Sequence, residues 1–132
     1  MSLNVNAPTA SVGSASVVVV DDDPLQRSEI TEYLARAGIS VSAAPNGFAA
    51  MHEIRKLSPR VVVMDLKMPG LDGIHVARLI EGLDPRPKVI LISGYPEYVY
   101  RAHQEEIGAF AVIEKPLALK VLLRFILDAL KT

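Results

Sequence analysis

Acidic, hydroxyl and amine side chains stand in this sequence where short apolar runs break off. Asp21, Asp22 and Asp23 follow four valines in VVVVDDDPL, and Asp65 follows another run in VVVMDLKMPGLDG. Ser93 and Gly94 close VILISG, and Lys115 closes the turn into VIEKP. Like charges side by side repel and raise each other's proton affinity, so adjacent acids call for a cation among them. A hard divalent ion fits: Mg²⁺ is typically held by one or two carboxylates together with waters and phosphate oxygens. Lys115 adds a point positive charge and Ser93 a neutral donor. With a metal they suit the oxygens of a phosphoryl group in transfer, where catalysis is mainly positioning and charge neutralisation. A carboxylate can itself be the nucleophile and form an acyl phosphate. Asp65 is the better candidate for that role, because it stands alone before a turn that leaves it reachable. Asp21 and Asp22 then make the metal cradle, and Asp23, placed before Pro24, caps a helix.

These groups need elements that bring them to one place. Strands are expected at residues 16–20, 39–43, 60–64, 88–92 and 110–113, with helices at 24–37, 47–57, 73–83, 96–107 and 117–131. Gly38 falls where a left-handed residue ends a helix, and Asn46-Gly47, Pro69-Gly70 and Asp84-Pro85 mark loops. Strands alternating with helices imply crossovers and a parallel sheet covered on both faces, which near-continuous apolar strands require. In such sheets ligands bind outside the carboxyl ends of the strands. The polar groups above stand at four of those ends; the second strand ends in Ala44-Pro45 and offers no chemistry.

Taken together and in order, VVVVDDDP, VVVMDLKMPGLDG, VILISG and VIEKP resemble the receiver domain of two-component response regulators, over about residues 16 to 131. The resemblance implies a single flavodoxin-like (βα)5 α/β domain of three layers, with a five-stranded parallel sheet of order 2-1-3-4-5. It implies a phosphoryl group passing from a histidine kinase or phosphotransfer protein to Asp65. Asp22, Asp65 and the backbone carbonyl of Lys67 would bind Mg²⁺ or Mn²⁺, with Asp21 assisting through water. Ser93, Lys115 and the Gly94 N–H would hold phosphate oxygens, and a cis Lys115-Pro116 bond is expected. The partners implied are that phosphodonor and a downstream protein or output domain. The protein would be no turnover enzyme, only catalysing its own phosphorylation and dephosphorylation.

Three departures from the family pattern carry expectations. An aromatic usually stands where this chain has Val112, so Phe110 or Tyr95 would have to serve as the switch. Lys67 and Tyr95 occupy positions that tune attack of water on the acyl phosphate, and their bulk implies slow phosphate loss. The pattern stops with the fifth helix, so no output domain is expected within this chain. Residues 1–15 show no helix or strand period and read as a flexible leader to a domain over 16–132.

Composition narrows the rest. A net charge of −1 with mixed signs argues against direct nucleic-acid binding, and no apolar run approaches a membrane span. The absence of cysteine removes disulfides and thiolate sites, and the start lacks a secretory signal, so a cytoplasmic setting is expected. His52, His75 and His103 are widely spaced and read as structural or exposed. In the fifth helix Leu119, Leu122, Leu123, Ile126, Leu127 and Leu130 form an expected core face. Val121, Phe125 and Ala129 widen it, either as further core or as a partner or homodimer patch. Two competing functions remain. One is a small Mg-dependent phosphatase resembling the haloacid-dehalogenase family, with Asp21 as nucleophile and Asp23 as acid/base. The other is a degenerate receiver used only for docking, against which the intact set of polar groups argues.

Overall fold

The computed structural model describes residues 15–131. Ten elements follow one another as β1 (Val17–Val20), α1 (Pro24–Arg36), β2 (Val41–Ala44), α2 (Gly47–Leu57) and β3 (Val61–Asp65), then α3 (Gly73–Glu81), β4 (Lys88–Ser93), α4 (Pro96–Gln104), β5 (Ala111–Glu114) and α5 (Leu119–Lys131). All strand pairs are parallel and the sheet order is β2-β1-β3-β4-β5, as expected.

The valine runs form strands because their branched side chains pack on both faces of a pleated sheet. Val17 and Val19 join Val61, Val63, Ile90 and Ile92 beneath α1 and α5, which contribute Ile30, Leu34, Leu122 and Ile126. Val18 and Val20 point the other way, into a core with Ala50, Ile54, Ile74, Val76 and Ala102 from α2, α3 and α4. Two helices therefore cover one face and three the other. β1 and β3 are neighbours, yet the connections from their ends leave in opposite directions. The crevice of an open parallel sheet lies at such a reversal in strand order.

Local signals set the helix starts. The Asp23 carboxylate accepts from the Leu25 and Gln26 N–H groups ahead of α1. Asn46 caps α2 and Asp72 caps α3 in the same way. Gly38 closes the first helix at φ 87°, a conformation that costs a Cβ-bearing residue.

Several boundaries differ from the sequence expectation. β3, β4 and β5 each reach one residue further than their expected ends, because ladder hydrogen bonds belong to the backbone and continue through a polar residue; β2 also gains a residue, Ala44, paired with Val20. Asp65 is paired with Ile92, and Ser93 with Glu114. α3 stops at its cap Gly82, and α4 stops before Glu106, which turns to φ 53°. α5 begins at Leu119, two residues later than expected. Its face is corrected too. The buried stripe is Leu122, Ile126 and Ala129, while Leu127, expected in the core, is 44% exposed. At 100° per residue Leu127 sits a quarter-turn from Ile126 and leaves the core side. Ala129 belongs to the core; Val121 is exposed and Phe125 half-buried. Residues 1–14 of the expected leader lie outside the described residues, and Ala15, its last member, is buried. Among the described residues no helix is long and apolar enough to cross a membrane.

Candidate functional site

The carboxyl ends of β1, β3, β4 and β5 deliver the expected side chains to one rim of the sheet. Asp21 and Asp22 follow β1, Asp65 is the last residue of β3, Ser93 the last of β4, and Lys115 follows β5. Asp21, Asp22 and Asp65 each offer a carboxylate oxygen, all within 4.8 Å of one another. The Lys115 ammonium donates to Asp65 Oδ2 at 2.8 Å, and the Lys67 N–H donates to Asp65 Oδ1 at 3.1 Å. Both oxygens of Asp65 are thereby oriented. The cleft around them encloses about 400 Å³ and is also lined by Gln26, Met68, Pro69, Tyr95 and Tyr98.

Ser93 is buried, and its hydroxyl is turned to the backbone of Tyr95: it receives the Tyr95 N–H at 3.0 Å and donates to the Tyr95 carbonyl at 3.2 Å. Gly94 lies along the Lys115 stem, with Lys115 Cδ 3.4 Å from where a Cβ would stand. The Lys115-Pro116 bond is cis as expected, and Asp84-Pro85, read only as a loop, is cis as well. His52, His75 and His103 are all exposed. Val112 is half-buried against the core beneath α2, α3 and α4, and Phe110 is partly exposed.

Electrostatics follow from the crowding. Burial pushes the Asp21 carboxyl up from 3.8 to about 6; the hydrogen bond from the Asp23 N–H opposes this, and the charge of Asp65 adds to it. Burial works against the Lys115 charge, but the hydrogen bond and charge of Asp65, with Asp21 and Asp22 behind it, outweigh burial and hold the ammonium above its ordinary range. Three hard oxygen donors, one of them raised in proton affinity by burial and then by the neighbouring charge of Asp65, fit a divalent ion of the Mg²⁺ type.

Asp21 allows a stability prediction. Its proton is held more tightly in the folded chain than in the unfolded one, so folding takes up a proton between these two values. That contribution is complete below pH 3.8 and is lost as pH rises through about 6. Asn keeps the acceptor for the Asp23 N–H without the charge. Asp21→Asn is expected to raise the stability of metal-free protein at pH 7.5 by about 1–2 kcal/mol, with the gain vanishing near pH 4. Urea unfolding at both pH values checks this, and a gain of equal size at both would refute the electrostatic cause.

Some of the site was not anticipated. The Arg27 guanidinium donates to the Asp21 carbonyl at 2.7 Å, fixing the turn that carries the acids. Across the cleft mouth the Lys67 ammonium lies 4.1 Å from the centre of the Tyr95 ring. Tyr95 meets Tyr98 edge-on at 6.1 Å, and Arg101 stacks on Tyr98 at 5.6 Å while reaching Asp72 at 3.8 Å. Asp72 had a readable signal in its position before Gly73; the resemblance singles out Lys67 and Tyr95, but no spacing rule joins them to each other or to Tyr98 and Arg101.

Comparison with known proteins agrees with this fold. The family model described as the response regulator receiver domain matches residues 17–127. Sporulation initiation phosphotransferase F of Bacillus subtilis is 30% identical over 100 residues, which are 76% of this chain and 81% of that protein. A protein-glutamate methylesterase/protein-glutamine glutaminase of Anaeromyxobacter dehalogenans is 36% identical over 102 residues, and the chain spans only 29% of its length. Among solved structures, a receiver domain from Clostridium thermocellum superposes with a TM-score of 0.81 at 27% identity, covering 89% of this chain and 94% of that one. The receiver domain of the putative response regulator NarL from Mycobacterium tuberculosis gives 0.77 at 34% identity, covering 89% and 97%.

Proposed function

This chain belongs to the response regulator receiver domain family, and from that premise we propose that Asp65 is its phosphoacceptor, with Asp21, Asp22 and the Lys67 carbonyl completing a site for Mg²⁺ or Mn²⁺. The observation that carries the assignment is the convergence of three acids and the Lys115 ammonium on one crevice, with Lys115 already bonded to Asp65. When bound, a divalent ion of this kind supplies positive charge against the phosphoryl oxygens.

The chain's own residues do the rest. Asp65 is held by the Lys67 N–H with its carboxylate facing the cleft, so a lone pair is directed at an incoming phosphorus. As the carboxylate–phosphorus bond forms, the bond to the donor's imidazole breaks and its electron pair leaves with the imidazole nitrogen. Lys115 transfers its hydrogen bond from Asp65 to a phosphoryl oxygen, Ser93 rotates its hydroxyl away from Tyr95 to a second, and the Gly94 N–H meets another. Such preformed donors lower the barrier because they are in place before charge moves. The partners we assign are a histidine kinase or phosphotransfer protein on the donor side and a downstream protein or output domain on the other, in the cytoplasm. Signalling, not turnover of a substrate, is the product.

The phosphatase reading is not favoured. It needs Asp23 as an acid/base, but that carboxylate is occupied in capping α1, and the family match lies with the receivers.

Incubation with Mg²⁺ and acetyl phosphate, followed by mass mapping, tests the assignment. The expected result is one phosphoryl group per chain, on Asp65, and none on the Asp65→Asn variant. Modification of another acid, or repeated turnover with no retained phosphoryl group, would overturn it.

A further inference from the structure

Helix α4 is weakly held. Ala102 is its one buried residue, and its N-cap residue, Tyr95, supplies no side-chain capping bond. Tyr95 itself is tied down at two places. Its ring lies under the Lys67 ammonium, and its backbone N–H and carbonyl both meet the Ser93 hydroxyl. The first tie ends on Lys67, two residues after Asp65 in the β3–α3 loop, and the second on Ser93, which follows Asp65's ladder partner Ile92 at the end of β4. Beyond Tyr95 the contacts continue along one side of α4, through Tyr98 to Arg101, which latches onto Asp72, the cap of α3.

A ring attracts an ammonium only through its quadrupole, and a dianion at similar range attracts it far more strongly. A phosphoryl group on Asp65 therefore draws Lys67 off Tyr95 at the moment when Ser93 also turns inward. The two states differ in named contacts, which is what a ligand needs in order to shift an equilibrium. We propose that Tyr95 is the positioning residue of this protein's switch: it anchors the first turn of α4 through Lys67, and phosphorylation releases that anchor and loosens α4. The proposal rests on Asp65 being the phosphoacceptor and adds the route by which the modification reaches the surface.

The test follows hydrogen exchange of residues 96–104 with phosphoryl occupancy read by mass on the same samples. In the wild type, exchange is expected to rise about two- to fivefold on phosphorylation, the scale of losing one cation–π contact. Lys67→Met and Tyr95→Leu are expected to show the raised rate before any donor is added and little further change at matched occupancy. Lys67→Arg and Tyr95→Phe, which keep a cation and a ring, should behave as the wild type does; a purely structural role for either side chain would not be rescued in this pattern. If Lys67→Met and Tyr95→Leu both retain the full phosphorylation-dependent rise, the proposal fails while the phosphoacceptor assignment stands. If no phosphoryl group is retained on Asp65, both fail together.

Discussion

Lys115→Ala is expected to slow phosphorylation by acetyl phosphate about a hundredfold, the usual scale for removing one donor aimed at a developing oxyanion, and at the same time to tighten binding of Mg²⁺ or Mn²⁺. The two effects have opposite signs because Lys115 has two electrostatic roles. Its ammonium sits 2.8 Å from Asp65 and is the group that would follow the transferring phosphoryl oxygens. It is also the cation already placed among three carboxylates, and it lowers the proton affinity of Asp21. Without it a divalent ion meets uncompensated acids, and affinity should improve roughly tenfold, a difference of about 1.4 kcal/mol. Lys115 is partly exposed, so solvent screening keeps the gain modest. Metal titration and phosphorylation rates on one preparation decide the matter. Weaker metal binding together with slow phosphorylation would mean the substitution had disordered the cleft, and unchanged phosphorylation would remove Lys115 from the mechanism.

Much of this arrangement is readable from the order of residues, for identifiable reasons. Runs such as Val17–Val20 are β-branched throughout, so they are strands buried on both faces, and whatever polar residue follows them must come to the sheet's rim. That reasoning places Asp21, Asp65, Ser93 and Lys115 together before any coordinate is known. It fails at the last residue of a strand, because a polar residue reads as the end of pairing, whereas Asp65 and Ser93 remain in the ladder. It fails again in α5, where apolar residues cover most of the circumference: periodicity cannot choose a face when nearly every face qualifies, and packing against β3 and β4 selects Ala129 over Leu127. The Lys67–Tyr95–Tyr98–Arg101 stack is illegible for a different reason. The resemblance singles out Lys67 and Tyr95 one by one, but nothing links them to each other or to Tyr98 and Arg101, and only the approach of the β3–α3 and β4–α4 loops makes the four neighbours.

Gly73→Ala carries a second large expectation, and its sign is a contest between two effects. Gly73 opens α3, and in an unconstrained helix alanine is preferred to glycine by up to about 1 kcal/mol. Here the added Cβ would stand 2.6 Å from the Asp65 carbonyl oxygen and 2.8 Å from Leu66 Cα, with the Leu66 carbonyl oxygen at 3.2 Å. These are backbone atoms with little freedom to yield. Asp65 is held in the ladder opposite Ile92, the Leu66 N–H donates to the Ile92 carbonyl at 2.9 Å, and the Gly73 N–H donates to the Leu66 carbonyl at 2.9 Å. Relief of the clash must move α3 or the segment that carries Asp65, so the penalty should win by about 2–4 kcal/mol. Gly82→Ala provides the comparison: its Cβ would meet nothing closer than the Leu79 carbonyl oxygen at 3.6 Å, and its φ of −87° suits any residue. That variant is expected to match or exceed the wild type by up to about 1 kcal/mol. Urea unfolding of the two variants separates these outcomes. A Gly73→Ala protein as stable as Gly82→Ala would show that the β3–α3 turn gives way freely, and Asp65 would then lack the rigid seat on which its orientation depends.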